Sequence, residues 1–259
     1  MKPGYHHKFK SNNAPAKNKN LIIGRQPLIE ALQSGRAIDK ILLQKNAGGE
    51  VIDEIRSLAK QYQVPIQVVP VEKLNSLTKA AHQGIVAFAA LVRYMNLQEV
   101  IDFVVSKGQT PLFLLLDGVT DVRNIGAIAR TAVCTGAQAL IIPDKGVGAL
   151  NEEAMKSSAG ALEHIHICRV NSLMKAVDEL HLNGIKVFAS EMTATTRIFE
   201  LNLTEPCAIV MGGEEKGVYP ALMKICDTAF QIPMPGKFES LNVSVAAGMI
   251  LYETMKQRT

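Results

Sequence analysis

The sequence predicts an α/β protein, in which a small N-terminal α/β unit precedes a larger parallel sheet flanked by helices. Beyond residue 111, short apolar runs alternate with helical patterns, as expected for strands buried on both faces between helices. Before residue 93, the strands and helices are similarly spaced but fewer. Polar residues and glycines follow directly after several of the later runs, which predicts one functional edge of the larger sheet.

Composition sets the first limits on function. The chain has 259 residues, of which 47% are hydrophobic and 20% charged, and its net charge is +4. These values are typical of a globular protein with a sizeable core, and the slight basic excess permits a polyanionic partner without requiring one. No apolar run approaches the roughly 18 residues of a membrane span, so no membrane association is expected.

Cysteine usage predicts a reducing compartment. The four cysteines are far apart and form no C-x-x-C pair, and three of them lie in or beside apolar runs. Buried free thiols fit this pattern better than a zinc site or disulfides. We therefore expect a cytoplasmic protein without a bound metal.

The N-terminal part of the chain divides into three segments. Residues 1–20 contain five lysines and no acid, so we predict a disordered basic tail, which either contacts phosphates or simply increases solubility. Residues 21–92 are predicted to form the small α/β domain, and residues 93–110 a linker. Strands are predicted at 21–24, 40–43, 66–69 and 85–92, and helices at 27–32, 50–62, 71–77 and 98–106.

Residues 111–259 are predicted to form the larger domain. Its strands are expected at 112–116, 139–142, 187–189, 208–211 and 229–232, and its helices at 125–135, 151–161, 172–182, 219–225 and 243–256. The sequence has neither a Walker-type phosphate loop nor a complete dinucleotide-binding glycine motif, which disfavours NTP and dinucleotide chemistry.

Three segments carry the candidate functional residues. Asn124 is predicted to cap a helix, and Arg130 lies in an apolar helical pattern, where it either extends outward or is held in a site. Glu214 follows a strand beside glycines that permit close approach of a ligand. Ser240 and Asn242 are either helix caps or site residues. The occurrence of all three segments in one domain favours a composite site.

The segments resemble those of the SpoU family of RNA ribose 2′-O-methyltransferases. The resemblance rests on Asp117-Gly118 with Arg123-Asn124-Ile125-Gly126 and Arg130, on Gly212-Gly213-Glu214-Glu215-Lys216-Gly217, and on Ile232-Pro233-Met234 with Ser240-Leu241-Asn242-Val243-Ser244. They stand in the family's order and spacing. Residues 21–92, with Ile23-Gly24 and His82-Gln83-Gly84, are similar to the ribosomal-protein-like substrate domain of the branch that methylates 23S rRNA guanosines.

This resemblance implies a deep trefoil knot in the larger domain, S-adenosylmethionine as cofactor and a homodimer with its active site near the interface. The implied cofactor-binding residues are Met211, Gly212, Ile232, Met234 and Leu241. The implied catalytic residues are Asn124, Arg130, Glu214, Ser240 and Asn242. Because a guanidinium is a poor base at neutral pH, we expect Arg130 to bind phosphate and stabilise the developing alkoxide, with the proton acceptor left open.

The implied substrate is a guanosine of 23S rRNA in the large ribosomal subunit. Two alternatives stay open: methylation of tRNA or of another rRNA nucleotide, and a ribosome-assembly factor that keeps the fold without turnover. His82 is interpreted as bracing a loop in preference to contacting RNA. His164 and His166 alternate on a predicted strand, but no acid or cysteine completes a metal site with them.

Overall fold

The computed structural model describes residues 20–148, 150–236 and 240–259. The predicted basic tail therefore lies outside the described residues, apart from Asn20. Among the described residues, no helix is long and apolar enough to cross a membrane.

The small domain is a four-stranded sheet covered by helices on both faces. Its strands have the order β1-β4-β2-β3, and only the β2–β3 pair is parallel. Alternating residues of β2 face opposite cores: Ile41 and Leu43 pack with α1 and α2, and Leu42 packs with Leu74 of α3. The elements are β1 (Leu21–Ile23), α1 (Arg25–Gln33), β2 (Ile38–Gln44), α2 (Glu50–Gln61), β3 (Ile66–Val69), α3 (Val71–Leu77) and β4 (Ile85–Ala89).

The larger domain is built on an eight-stranded sheet with every neighbouring pair parallel, in the order β10-β12-β9-β11-β6-β7-β8-β5. Its strands are β5 (Tyr94–Met95), β6 (Leu112–Asp117), β7 (Ala139–Pro143), β8 (His166–Val170), β9 (Lys186–Ser190), β10 (Thr196–Arg197), β11 (Cys207–Gly212) and β12 (Thr228–Gln231). Its helices are α4 (Leu97–Ser106), α5 (Val122–Cys134), α6 (Glu152–Ser157), α7 (Leu173–Leu182), α8 (Pro220–Met223) and α9 (Val243–Arg258). The predicted α/β fold with a parallel sheet is confirmed.

Two hydrophobic layers cover this sheet. Leu114 and Ile209 face the layer that contains α5 and α9, and Phe113 and Val210 face the layer that contains α4 and α7. Every one of these four side chains is fully buried. Burial of both sheet faces explains why these strands appear in the sequence as continuous apolar runs.

Several predicted boundaries differ from the structure. The helix expected over 151–161 is α6, which ends at Ser157, followed by a 3₁₀ turn at Ala161–Glu163. Because Ala159 and Gly160 adopt positive φ values of 49° and 89°, the α-helix does not continue. His164 closes that turn, and only His166 lies on β8, so the predicted alternation of the two histidines on one strand is wrong.

The stretch 93–110 is folded into the larger domain. Tyr94 and Met95 pair in parallel with Ile167 and Cys168 at the edge of the sheet. Val100 and Val104 of α4 are buried against the sheet. The helix predicted in this stretch is present, and it packs as part of the larger core.

Candidate active site

Three loops meet at the carboxyl edge of the larger sheet. One follows β6, the second follows β11, and the third leads into α9. The first two loops are tied together because Gly213 donates its N–H to the Asp117 carbonyl at 2.8 Å, and Tyr219 donates its N–H to Asp117 Oδ2 at 2.7 Å. Adjacent parallel strands deliver their following residues to the same edge, so residues a hundred positions apart become neighbours.

Side chains from all three segments form one hydrogen-bonded cluster. Glu214 Oε1 accepts from Asn242 Nδ2 at 2.8 Å and from Asn124 Nδ2 at 3.1 Å. Asn242 Nδ2 also donates to Asn124 Oδ1 at 3.1 Å. We call Asn124, Glu214 and Asn242 the amide–carboxylate cluster. Three of the five predicted catalytic residues are thus brought into direct contact.

The two asparagines reach the cluster from the first turns of their helices. The predicted cap at Asn124 is wrong: α5 is capped by Asp121, whose Oδ1 accepts the Arg123 N–H at 2.9 Å. Asn124 is the third residue of α5 and does not cap it, so its amide is free to donate to Glu214. Asn242 does cap its helix, with Oδ1 accepting the Ser244 N–H at 2.9 Å, and it joins the cluster through its other amide atom.

Glycines permit the loop after β11 to fold tightly. A Cβ on Gly212 would overlap the backbone of Gly217 and Val218, and a Cβ on Gly213 would overlap the backbone of Gly118. Gly217 has a φ of +62° and donates its N–H to the Gly213 carbonyl at 2.9 Å. Gly212 and Gly213 therefore permit the close backbone approach, and Gly217 permits the left-handed conformation.

A cavity of about 290 Å³ opens on one side of this loop. Its lining includes Glu214 and Ser240. It also includes all five predicted cofactor-binding residues, which are Met211, Gly212, Ile232, Met234 and Leu241. Its walls combine apolar side chains with exposed backbone groups of the 212–217 loop, which suits a ligand with a flat apolar part and a polar rim. These residues fit the adenosine part of S-adenosylmethionine.

A second cavity, of about 380 Å³, also borders the 213–217 loop. We call it the β6-loop cavity. It is lined by Gly118 to Asp121, by Asn124 and by Gly146, and it shares the loop and Val243 with the first cavity. Within the amide–carboxylate cluster, Glu214 therefore borders both cavities and Asn124 borders the second.

Arg130 lies apart from the cluster. It is exposed on α5, six residues beyond Asn124, and within the described ranges it lines neither cavity and has no hydrogen bond or ion pair. It lies on the outer surface of α5, one residue before Thr131, where Gly248 of α9 approaches α5. Of the two orientations weighed from the sequence, the outward one is observed.

The sequence did not indicate that Ser190, Glu191 and Met192 line the first cavity. They follow β9, the strand next to β11. The available signal was their position at the carboxyl end of a predicted strand. It was weak because this segment has no glycine and no distinctive motif.

His82 braces its loop as predicted. Its Nδ1 accepts the Gly84 N–H at 3.0 Å, and its Nε2 lies 2.9 Å from Asn75 Oδ1.

Comparison with known proteins finds relatives that match both domains of the chain. The sequence profile of the SpoU rRNA Methylase family matches residues 111–252, and the profile named RNA 2′-O ribose methyltransferase substrate binding matches residues 21–95. A Staphylococcus epidermidis protein named as a TrmH family tRNA/rRNA methyltransferase is 37% identical over 92% of this chain and 96% of its own length. The similarly named YacO of Bacillus subtilis is 35% identical over 92% and 95%.

Two solved structures are also similar. The SpoU methyltransferase AviRb of Streptomyces viridochromogenes, in complex with AdoMet, has a TM-score of 0.58 and 25% identity, covering 92% of this chain and 90% of its own. The A. aeolicus TrmH/SpoU tRNA modifying enzyme has a TM-score of 0.52 and 29% identity over 62% and 84%. With its parallel sheet, its composite cluster and these relatives, the chain belongs to the SpoU family of RNA methyltransferases, which use S-adenosylmethionine.

Proposed function

We propose that this protein transfers a methyl group from S-adenosylmethionine to a ribose 2′-hydroxyl of RNA, and that the target is a guanosine of 23S rRNA. The amide–carboxylate cluster is the main observation that supports this proposal. It joins Asn124, Glu214 and Asn242 from three segments, and Glu214 borders both cavities. A transfer reaction needs two reactants held side by side in fixed geometry.

We assign the two cavities to the two reactants. The cavity lined by Met211, Gly212, Ile232, Met234 and Leu241 would hold the cofactor, which when bound supplies an electrophilic methyl group. The β6-loop cavity would admit the ribose. Asn124 and Asn242 would orient the ribose through their amides, and Ser240 would add a hydroxyl beside Leu241.

Arg130 would act on the charge of the substrate. A guanidinium carries a positive charge, so Arg130 would bind an RNA phosphate and stabilise the alkoxide that develops when the 2′-hydroxyl loses its proton. Its exposed position on α5 leaves it accessible to a large polyanion. In a homodimer, it would also lie beside the partner.

We propose a second copy of the chain as the partner of the face formed by α9. Val245, Met249 and Tyr252 are 48%, 47% and 61% exposed at positions i, i+4 and i+7 of this helix. An apolar stripe of this kind is costly to leave in water. Because α9 packs on α5, a dimer formed here would bring Arg130 near the interface. Met249→Glu should give a monomer in sedimentation velocity, and a dimeric variant would contradict the assignment.

The small domain supports RNA as the substrate class. Residues 21–92 would bind RNA and residues 111–259 would form the knotted catalytic domain, in a cytoplasmic enzyme. Residues 21–95 match the substrate-binding domain profile of RNA 2′-O ribose methyltransferases. Relatives are named for both tRNA and rRNA, so tRNA is the alternative substrate.

The test is a map of ribose methylation in cells with and without the gene. The proposal predicts that one guanosine of 23S rRNA loses its methyl group and regains it with the wild-type gene but not with Arg130→Ala. A loss confined to tRNA would favour the alternative substrate. Unchanged rRNA and tRNA would contradict an enzymatic role and favour an RNA-binding assembly factor.

A further inference from the structure

A buried arginine connects the two domains. Arg169 lies near the carboxyl end of β8 in the larger domain, and its side chain is only 7% exposed. Its guanidinium donates to the Asp39 carbonyl at 2.6 Å, to the Ile38 carbonyl at 3.1 Å and to the Gln63 carbonyl at 3.3 Å. All three acceptors belong to the small domain.

Tyr94, in β5 of the larger domain, also takes part in this contact. The Arg169 Cζ atom lies 3.8 Å from the centre of the Tyr94 ring, close enough for a cation–π interaction. The Tyr94 hydroxyl donates to Asp39 Oδ1 at 2.9 Å, and Asp39 Oδ1 lies 3.8 Å from Arg169 Nη1. Burial, followed by the charge of Asp39, raises the pKa of Tyr94, so this hydroxyl stays protonated as a donor. We call Asp39, Tyr94 and Arg169 the interdomain clamp.

The clamp holds the small domain against the catalytic edge of the sheet. A cavity of about 490 Å³ lies between the domains, lined by Lys40 and Gln67 on one side and by Lys145 and Gly146 on the other. Gly146 also lines the β6-loop cavity next to Asn124. The loop that carries it is fixed to β8, because Asp144 donates its N–H to the Val170 carbonyl at 2.9 Å. The space between the domains therefore adjoins the proposed ribose site.

Charges in this interdomain space are mixed. Lys40 and Lys145 face it together with Asp39 and Asp144. Asp39 is engaged by Tyr94 and Arg169. The guanidinium of Arg169 is likewise engaged by carbonyl groups, so it serves the domain contact and not a substrate phosphate.

We propose that Arg169 is a positioning residue, which fixes the small domain relative to the amide–carboxylate cluster and thereby sets where bound RNA meets the cofactor. A planar fork that makes three hydrogen bonds and stacks on a ring defines an orientation, which a flexible single contact does not. This inference rests on the proposed function, because RNA bound by the small domain must reach the β6-loop cavity. Small misplacements of a substrate lower the rate steeply.

The experiment compares wild type with Arg169→Ala and Arg169→Lys in the full-length protein. Lysine keeps the charge but not the fork, so it should rescue little. Tyr94→Phe, which keeps the ring and loses the hydroxyl, should give a smaller effect and replaces Arg169→Ala if that variant does not fold. Lys175→Ala removes an exposed cation on α7 and should behave as wild type.

Two readouts separate this proposal from the proposed function. The first is tryptic cleavage after Arg93, an exposed residue just before Tyr94. Cleavage should be about tenfold faster in Arg169→Ala, because it follows the population of the opened state. This readout needs no RNA, so it stands even if the RNA methylation is not observed.

The second readout is steady-state kinetics with RNA, alongside calorimetric titration with S-adenosylmethionine. We expect kcat/KM for RNA to fall by about tenfold or more, with the cofactor Kd within about twofold of wild type. Unchanged cleavage after Arg93, or an unchanged kcat/KM for RNA, would overturn the proposal. A loss of cofactor affinity as large as the loss of kcat/KM for RNA would also overturn it, since that would indicate general damage to the larger domain.

Discussion

Asn242 Nδ2 lies 2.8 Å from Glu214 Oε1, and the same amide group accepts the Ser244 N–H at its Oδ1. The helix cap therefore fixes which way the amide points. With Oδ1 occupied by the backbone of α9, Nδ2 must face Glu214 and Asn124. One residue thus begins a helix and orients the site, and the orientation does not depend on a bound ligand.

Removal of the shared acceptor should uncouple the cluster. Glu214→Ala leaves two amide donors without their carboxylate, and hydrogen bonds to charged groups contribute about 1.5–3 kcal/mol. We expect kcat/KM to fall about 10- to 100-fold. Glu214→Gln keeps an acceptor and should lose less. Glu163→Gln, an exposed acid outside the site, is the control. Equal activity of Glu214→Ala and the wild type would rule out a role for the cluster.

Substitution of Gly212 should disrupt the cavity that we assign to the cofactor. An alanine Cβ would meet the backbone of Gly217 and Val218, and backbone cannot give way as a flexible side chain does. We expect Gly212→Ala to lower the free energy of unfolding by about 1–3 kcal/mol and to weaken S-adenosylmethionine binding in calorimetry. Gly48→Ala, where a Cβ meets nothing within 4 Å, should change neither. Normal cofactor affinity in Gly212→Ala would show that this loop is not the binding site.

Arg130 should affect turnover without affecting cofactor binding. It is exposed and lies outside the described lining of the cofactor cavity, so Arg130→Ala should leave the Kd for S-adenosylmethionine unchanged and abolish methyl transfer. Arg130→Lys keeps a positive charge but lacks the planar fork, and we expect partial activity from it. Weakened cofactor binding in Arg130→Ala would mean that this side chain acts within the cavity.

The cysteines should differ sharply in reactivity. Burial, followed by the charge of Glu179, raises the pKa of Cys168 to about 12, and burial followed by the charge of Asp227 raises that of Cys226 to about 11. The thiolate is the reactive form, so in the folded protein iodoacetamide at pH 8 should label exposed Cys134 and spare Cys168. Peptide mass mapping gives the result, and early labelling of Cys168 would contradict its burial.

The same shift predicts lower stability in alkali. A thiol ionises near pH 8.5 in the unfolded chain, whereas Cys168 remains protonated up to about pH 12 in the folded protein. Because the folded pKa is the higher one, its contribution to stability is complete below pH 8.5 and is lost progressively as the pH rises towards 12. Chemical denaturation of Cys168→Ala and wild type at pH 7 and pH 10 tests this. The free energy of unfolding should fall more in wild type between the two pH values, and an equal fall in both proteins would contradict the prediction.

The sequence revealed the strands of the larger sheet because burial on both faces leaves continuous apolar runs such as Leu112–Leu116. It revealed Asn124, Glu214 and Asn242 because each follows a strand or begins a helix near glycines. It could not reveal the β9-end residues Glu191 and Met192, whose role depends on strand order. Nor could it reveal Arg169, because three carbonyl acceptors in another domain leave no side-chain motif.

The chemical position of the transferred methyl group is the most direct test of ribose 2′-O-methylation. Purified protein is incubated with 23S rRNA and S-adenosylmethionine labelled on its methyl group, and the RNA is then hydrolysed in alkali. Alkaline cleavage requires a free 2′-hydroxyl, so 2′-O-methylation predicts label in an alkali-resistant dinucleotide. The reaction with Arg130→Ala should give no labelled dinucleotide. Label recovered only in mononucleotides would place the methyl group on a base and contradict the proposed reaction.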